Sequence, residues 1–289
     1  MMIFRKSKTP QLVAGADPKG PLLPHQELPQ PDFSFEPERV DAVTFRGAQS
    51  KVQWYPAPLV GAQTLARMIV ESPEHYVAGA RDLLRELSPD DYGTYMIQFY
   101  EAGLSRYGSR WGYADLVTIV LGLAEHLRPR RYLEIGVRRG RSVCAVGKLT
   151  PACEIAMFDM WLENYAGMEN PGPDFVRAEL HKVGHLGKVE FINGNSHETL
   201  PQYFSENPQK TFDLIAVDGD HTNLGAAQDI ADVLPHLAIG GAIALDDISH
   251  PKFPGLKSVW QRMIVENPRF SAWTYDEVGY GVGFAVRKW

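Results

Sequence analysis

Carboxylates follow directly after two strongly apolar runs of this sequence, and they suggest metal chemistry. Asp218 ends the run at 212–217, and Asp246 and Asp247 end the run at 241–245. One helix fits between the runs, which predicts neighbouring parallel strands with their carboxyl ends at one edge of a sheet. Three acids repel one another there unless a cation joins them, and oxygen ligands suit a hard divalent ion such as Mg²⁺. The alternative is that one or two of the acids cap helices or meet arginines.

Asp220 and His221 follow Asp218 in the segment DGDH, and both are candidates for a general base. Gly219 lets the chain turn sharply, so that the next side chains can face a bound molecule. The alternative for Asp220 is a cap on the helix that is expected to start near Thr222, where a carboxylate is favourable. His221 is either a base or a residue at the start of that helix.

Glycines after the first apolar run predict a tight turn beside a ligand. The segment EIGVRRGRS places Gly136 and Gly140 at a G-x-x-x-G spacing, with Glu134 two residues before the first glycine. A dinucleotide-binding turn would carry G-x-G-x-x-G. The acid would sit badly beside a pyrophosphate and suits a cationic or zwitterionic ligand. A plain strand-to-helix turn is the alternative.

Polar residues also follow the second and third runs. Asp159 ends the second run, where an acid commonly accepts ribose hydroxyls, or it caps a helix. Asn195 and Ser196 follow the third run, where an adenine could be held. Ser196 could equally cap the next helix.

The composition indicates a globular protein with a sizeable core, being 44% hydrophobic and 22% charged over 289 residues. The formal net charge of −6 disfavours nucleic acid as a partner. Two cysteines without a CxxC pattern, Cys144 and Cys153, argue against a zinc site or disulfides. The first residues lack the apolar core of a signal peptide, and no apolar run is long enough to cross a membrane. We therefore expect a soluble cytoplasmic protein that does not bind membranes.

Three segments with different patterns divide the chain. Residues 1–60 form a Pro-rich N-terminal arm, since nine of the 21 prolines lie in the first 58 residues. We expect it to wrap on the body or on a partner subunit, or to be partly disordered. Residues 61–110 read as a helical cap or oligomerisation segment, with helix starts at Ser72–Pro73 and Ser88–Pro89. Residues 111–289 alternate strands with helices, which predicts an α/β fold: a doubly wound, mostly parallel sheet with an antiparallel final strand.

The motifs YLEIGVRRGRS, FD, GNS, VDGDH and GGAIALDD, in this order, resemble the class I S-adenosylmethionine-dependent methyltransferases, whose fold is Rossmann-like. In particular the chain is similar to metal-dependent sugar O-methyltransferases of natural-product tailoring and, more distantly, to catechol O-methyltransferase. The resemblance covers roughly residues 110–289. The acid pair DD matches the sugar enzymes, because the catechol enzymes place Asn second.

This resemblance implies a role for each of these residues. S-adenosylmethionine would be held at the methionine moiety by Glu134, Gly136 and Gly140, with Ser142 and Asp218 also at the cofactor. Asp159 would hold the ribose, and Asn195 and Ser196 the adenine. The metal ligands would be Asp218, Asp246 and Asp247. The sugar enzymes carry an acid at the position of Asp220, which favours Asp220 over His221 as the base.

The implied activity is methyl transfer to a hydroxyl of a small molecule, either a sugar of a natural product or a vicinal diol or catechol. Three alternatives remain at this point. The chain could be a cephalosporin hydroxylase-like protein of the same fold, a NAD-dependent oxidoreductase, or a noncatalytic binding subunit. A homo-oligomer formed through the N-terminal region is also possible.

Overall fold

The structure is a computed structural model, and it describes residues 17–35, 37–38, 59–164 and 167–289. Its centre is one seven-stranded sheet in the order β3-β2-β1-β4-β5-β7-β6. Strands β1 to β5 are parallel neighbours, and β7 runs antiparallel between β5 and β6. The strands are β1 Arg131–Ile135, β2 Glu154–Asp159, β3 Val189–Asn193, β4 Phe212–Val217, β5 Leu237–Asp246, β6 Phe270–Tyr275 and β7 Val282–Arg287.

Helices cover both faces of this sheet. They are α1 Ala62–Val70, α2 Pro73–Glu86, α3 Asp91–Tyr107, α4 Leu116–Leu127, α5 Arg141–Leu149, α6 Pro173–Lys182, α7 Ser196–Glu206, α8 Asn223–Val233 and α9 Leu256–Trp260. Alternating strand residues separate the core into two layers: Tyr132 packs in a cluster with α1 to α6, and Leu133 in a cluster with α7 to α9. The predicted doubly wound, mostly parallel sheet with an antiparallel final strand is thereby confirmed.

The helix start predicted at Ser88–Pro89 is wrong by two residues. Helix α3 begins at Asp91, because Asp90 is the N-cap and its carboxylate accepts the N–H of Gly93 at 3.1 Å. Ser88 is bound elsewhere: its N–H and hydroxyl donate to the carboxylate of Glu179 at 2.7 and 2.9 Å. A Ser-Pro pair is therefore not sufficient to place a helix start when a better cap follows it.

The described part of the N-terminal arm lies on the body, as one of the sequence expectations had it. Asn223 on α8 donates its N–H to the carbonyl of Pro18 and its side-chain amide to that of Gly20, both at 2.9 Å. Arg262 donates to the carbonyl of Gln26 at 2.8 Å, and Leu28 is buried in the core layer of α7 to α9. The described part of the arm thus packs against the layer of α7 to α9 on one side of the sheet.

The helical segment before the sheet shares its core. Leu65, Tyr76, Leu83 and Tyr100 belong to the same buried cluster as Tyr132 of β1. The segment therefore folds against the sheet domain, and α3 comes to lie near the carboxyl ends of the strands. No helix in the described ranges is long and apolar enough to cross a bilayer.

Candidate active site

The loop after β1 passes between the ends of β2 and β4. Gly136 donates its N–H to the carbonyl of Phe158 at 2.9 Å, and Asp218 donates its N–H to the carbonyl of Ile135 at 2.8 Å. Gly136 has φ +84°, and a Cβ there would lie 1.9 Å from the carbonyl oxygen of Asp218. Only glycine allows this close approach. The turn from Gly136 to Gly140 then leads directly into α5, as the sequence predicts.

Glu134 lies under this loop, fully buried in β1. Its carboxyl group accepts hydrogen bonds from the hydroxyls of Tyr132 and Ser142, the latter at 2.6 Å. Burial raises the pKa of Glu134 to about 8, because these two hydrogen bonds offset only part of the desolvation. Glu134 and Ser142 are thus joined to each other, next to the predicted methionine site.

A glutamine in place of Glu134 should make stability less dependent on pH. The folded state holds a proton on Glu134 that the unfolded chain releases at its ordinary pKa of 4.5, so wild-type stability falls as pH rises from about 4.5 to about 8. We expect the free energy of unfolding of Glu134→Gln, relative to that of wild type, to be higher at pH 8 than at pH 4.5 by about 1 kcal/mol or more. Urea titrations at several pH values measure it. Glu71→Gln, at an exposed glutamate after α1, is the control and should follow wild type.

Asp159, at the end of β2, organises the β1 loop. One carboxylate oxygen accepts the N–H groups of Val137 and Arg138 at 2.8 and 2.7 Å. The other accepts the N–H of Trp161 at 2.6 Å and the amide of Asn170 at 3.3 Å. The acid predicted to hold the ribose therefore also fixes the loop predicted to hold the methionine moiety.

The adenine candidates lie at the start of α7. Asn195 is the N-cap, and its side chain accepts the N–H of His197 at 3.1 Å. Ser196 is the first helical residue. The capping role that the sequence left open for Ser196 belongs to Asn195 instead.

One group of possible metal ligands occurs among the described residues. Asp218, His221 and Asp247 offer ligand atoms that all lie within 4.8 Å of one another. His221 Nε2 is 3.1 Å from Asp247 Oδ2 and 3.7 Å from Asp218 Oδ1. Burial raises the pKa of Asp218 well above its usual value, and the charge of Asp247 raises it further. We call these three residues the acid–imidazole cluster; its two carboxylates are the ligands that suit a hard divalent cation.

Asp246, the third predicted metal ligand, is not in this group. It pairs with Val282 in the sheet and lies close enough to Asp218 and Asp247 for their charges to raise its pKa, after burial as the main cause. The structure thus brings Asp218 and Asp247 together as predicted, and places His221 between them.

Asp220 accepts a local backbone hydrogen bond just ahead of α8, whose N-cap is Thr222 and not Asp220. Its Oδ1 accepts the N–H of Thr222 at 2.7 Å, ahead of α8. Its Oδ2 lies over Gly225, where a Cβ would come within 2.0 Å of it, and is 4.0 Å from His197 Nε2. Asp220 therefore faces α7 and α8, whereas His221 faces the acid–imidazole cluster.

Asp229, on α8, escaped the sequence analysis. It is fully buried, its Oδ2 is 3.4 Å from the N–H of Asp220, and its Oδ1 is 3.4 Å from His197 Nε2. Burial raises its pKa to about 6. Through its contact with the N–H of Asp220, Asp229 supports the loop that carries Asp218 and His221. The signal in the sequence that could have pointed to Asp229 is an acid among the small apolar residues of the segment NLGAAQDIADV.

Backbone strain concentrates at this edge of the sheet. Five non-glycine residues have positive φ in the described ranges, and three of them lie here: Arg138 at +50°, Trp161 at +51° and Asp247 at +57°. Such conformations cost of the order of 1–3 kcal/mol each and cluster at functional sites. The left-handed turn at Asp247 follows directly on Asp246 and separates the directions of the two side chains.

Comparisons with known proteins agree with this geometry. Residues 133–248 match a family model described as a methyltransferase domain. No curated protein sequence matches the chain significantly. A solved O-methyltransferase from Bacillus cereus, in complex with S-adenosylhomocysteine, is 20% identical over 75% of this chain and 100% of its own, with a TM-score of 0.50. This likeness establishes a shared fold.

Two further solved structures are similar at lower TM-scores. The O-methyltransferase TomG from Streptomyces achromogenes, in complex with S-adenosylmethionine, is 18% identical over 74% of this chain and 90% of its own, with a TM-score of 0.48. A methyltransferase of Podospora anserina bound to S-adenosylhomocysteine is 18% identical over 74% of this chain and 88% of its own, also at 0.48.

Proposed function

We propose that this chain is an S-adenosylmethionine-dependent methyltransferase of class I that methylates a hydroxyl oxygen of a small molecule, since residues 133–248 match a methyltransferase domain. The observation that carries the proposal is the acid–imidazole cluster beside the Gly136 loop. The Gly136 loop, which would hold the cofactor, follows β1, and Asp218 and Asp247 lie at the ends of the neighbouring strands β4 and β5.

The residues that would hold a divalent ion are Asp218 and Asp247, with Asp246 and His221 adjacent to them. When bound, such an ion binds acceptor oxygens, lowers the pKa of the hydroxyl and directs it at the methyl group. In the transfer, the acceptor oxygen forms a bond to the methyl carbon as the carbon–sulfur bond breaks. The electron pair of the carbon–sulfur bond stays on sulfur, giving S-adenosylhomocysteine. The hydroxyl proton passes to His221 or Asp220.

The acceptor we propose carries two adjacent oxygens, as in a sugar of a natural product or a catechol. Two acids held side by side at the ends of β4 and β5 support this, because an ion held there keeps coordination positions for two substrate oxygens. Calorimetric titration with S-adenosylhomocysteine, with and without Mg²⁺, tests the class. Transfer of label from methyl-labelled S-adenosylmethionine to a panel of diols tests the acceptor. Binding of NADH in place of S-adenosylhomocysteine would contradict the proposal.

Asp159→Asn should weaken S-adenosylhomocysteine binding by about 10- to 100-fold. The amide would lose the charged acceptor that we propose for the ribose, and such hydrogen bonds contribute about 1.5–3 kcal/mol. The side-chain N–H groups of asparagine could also face the backbone N–H groups of the loop, from which Asp159 now accepts hydrogen bonds. Asp174→Asn, at an exposed acid in the first turn of α6, is the matched control and should bind normally. Unchanged affinity in Asp159→Asn would remove this residue from the cofactor site.

A further inference from the structure

Arg138, in the middle of the β1 loop, has hydrogen-bond donors that nothing satisfies. Its Nε and Nη2 are buried, and no acceptor in the described part of the chain pairs with them. The neighbouring arginines differ: Arg141 donates to both carboxylate oxygens of Asp90 at 2.6 and 2.7 Å, and Arg139 donates to Glu169 at 2.6 Å. Arg138 is half-buried, and its two buried donors without an acceptor are costly, so its guanidinium is a candidate for binding a ligand.

The backbone holds Arg138 in place at a cost. Its φ of +50° lies in the left-handed region, which a non-glycine residue seldom adopts. The carboxylate of Asp159 fixes this conformation by accepting the N–H of Arg138 at 2.7 Å. Asp159 therefore keeps the backbone of Arg138 in an unfavourable conformation within this loop.

The side chain of Arg138 lies near α3 and within electrostatic reach of Asp218. Its guanidinium carbon lies 5.9 Å from the ring centre of Tyr92, which α3 brings over the loop. Among the charges that act on Arg138 are those of Asp90 and Asp218. Tyr92, whose side chain is partly exposed, lies close enough to Asp246 to interact with its charge. Arg138 and Tyr92 thus lie near the strand ends at which the acceptor would bind.

We propose that Arg138, with Tyr92 above it, binds an anionic group of the acceptor, so that the enzyme selects hydroxyl acceptors that also carry a carboxylate or phosphate. A guanidinium matches the two oxygens of such a group in a planar, bidentate contact. The acceptor's diol then lies at the acid–imidazole cluster and its anionic group at Arg138. This inference rests on the proposed function, because it needs the cofactor and the acceptor to occupy this site.

A pair of probes tests the inference: 3,4-dihydroxybenzoate and catechol share the diol and differ by one carboxylate. Each is titrated calorimetrically into protein saturated with S-adenosylhomocysteine and Mg²⁺. We expect wild type to prefer 3,4-dihydroxybenzoate, and Arg138→Gln to bind it about 10- to 100-fold more weakly while catechol affinity stays within about threefold. Arg138→Lys should keep part of the preference, since it keeps the charge. Arg141→Gln, whose guanidinium is already filled by Asp90, should keep all of it.

Three outcomes would overturn the inference. In the first, wild type binds S-adenosylhomocysteine but not 3,4-dihydroxybenzoate. In the second, Arg138→Gln keeps the wild-type preference. In the third, Arg138→Gln binds S-adenosylhomocysteine more weakly than wild type does but binds its decarboxylated analogue, 5′-(3-aminopropyl)thioadenosine, with the affinity of wild type. The guanidinium would then serve the cofactor's carboxylate. Failure of the proposed function looks different, because wild type would then not bind S-adenosylhomocysteine at all.

Discussion

Asp247→Asn should abolish methyl transfer while making the metal-free protein more stable. The variant removes a charge that raises the pKa of both Asp218 and Asp246, so repulsion within the site falls when no cation is present. Asparagine tolerates the left-handed φ of +57° at this position and can still accept from His221 Nε2. Loss of the proposed ion should lower the rate by at least about 100-fold, because such an ion contributes several kcal/mol and each 1.4 kcal/mol or so is tenfold.

Thermal unfolding and rate measurements together check this expectation. In wild type, Mg²⁺ should raise the unfolding temperature, and EDTA should abolish turnover until Mg²⁺ is restored. In Asp247→Asn the unfolding temperature in EDTA should be higher than that of wild type and should no longer respond to Mg²⁺. Asp174→Asn should behave as wild type in every arm. Full activity in excess chelator, or a Mg²⁺ response that survives in Asp247→Asn, would leave these acids with structural roles only.

His221→Gln should cost far more activity than Asp220→Asn. The imidazole of His221 lies between Asp218 and Asp247, where the acceptor oxygens are expected, and a general base contributes about 100- to 10,000-fold. Asp220 is occupied with the N–H of Thr222 and faces α7 and α8. The side-chain oxygen of asparagine can accept the N–H of Thr222 as that of aspartate does, so Asp220→Asn should fold normally and stay within about tenfold of wild type in kcat.

Kinetics and cofactor binding measured on both variants decide between the two candidates. Both should bind S-adenosylhomocysteine with wild-type affinity, so that any loss lies in kcat. A loss of the low-pH limb of the rate profile in His221→Gln would identify His221 as the base, and an unchanged limb would make it a residue that positions Asp247. The resemblance to sugar-methylating enzymes favoured Asp220. If Asp220→Asn folds, binds the cofactor and loses about 100-fold or more, that earlier preference is right.

The helical segment before the sheet domain contributes to the site as well as to the core. Tyr92 lies on α3, one residue after its start, and its ring approaches both Arg138 and Arg141 at 5.9 and 5.1 Å. Asp90, the cap of the same helix, holds Arg141. The segment thus connects the start of α3 to the Gly136 loop.

Much of the fold follows from local pattern in the sequence. Apolar runs of strand length alternate with helical segments, which is enough to predict the parallel sheet, and β1 to β4 lie where the runs are. Strand β5 starts at Leu237, earlier than the run GAIALDD indicated, because the residues before it pair with Phe212 at the start of β4. The acids at the ends of β2, β4 and β5 were visible as well, since charges directly after apolar runs are costly without a purpose.

Tertiary structure alone decided which of these acids meet and what faces them. Asp246 is the last residue of β5 and Asp247 follows it, but the left-handed turn at Asp247 joins only the second acid to the acid–imidazole cluster. Asp220 and His221 are also consecutive, and packing against α7 and α8 turns only the first away. Arg138 and Tyr92 lie 46 positions apart in the sequence and meet because α3 docks beside the sheet. Sequence periodicity fixes which face of an element is buried, whereas the direction of a side chain at a strand end depends on loop dihedrals and on neighbours distant in sequence.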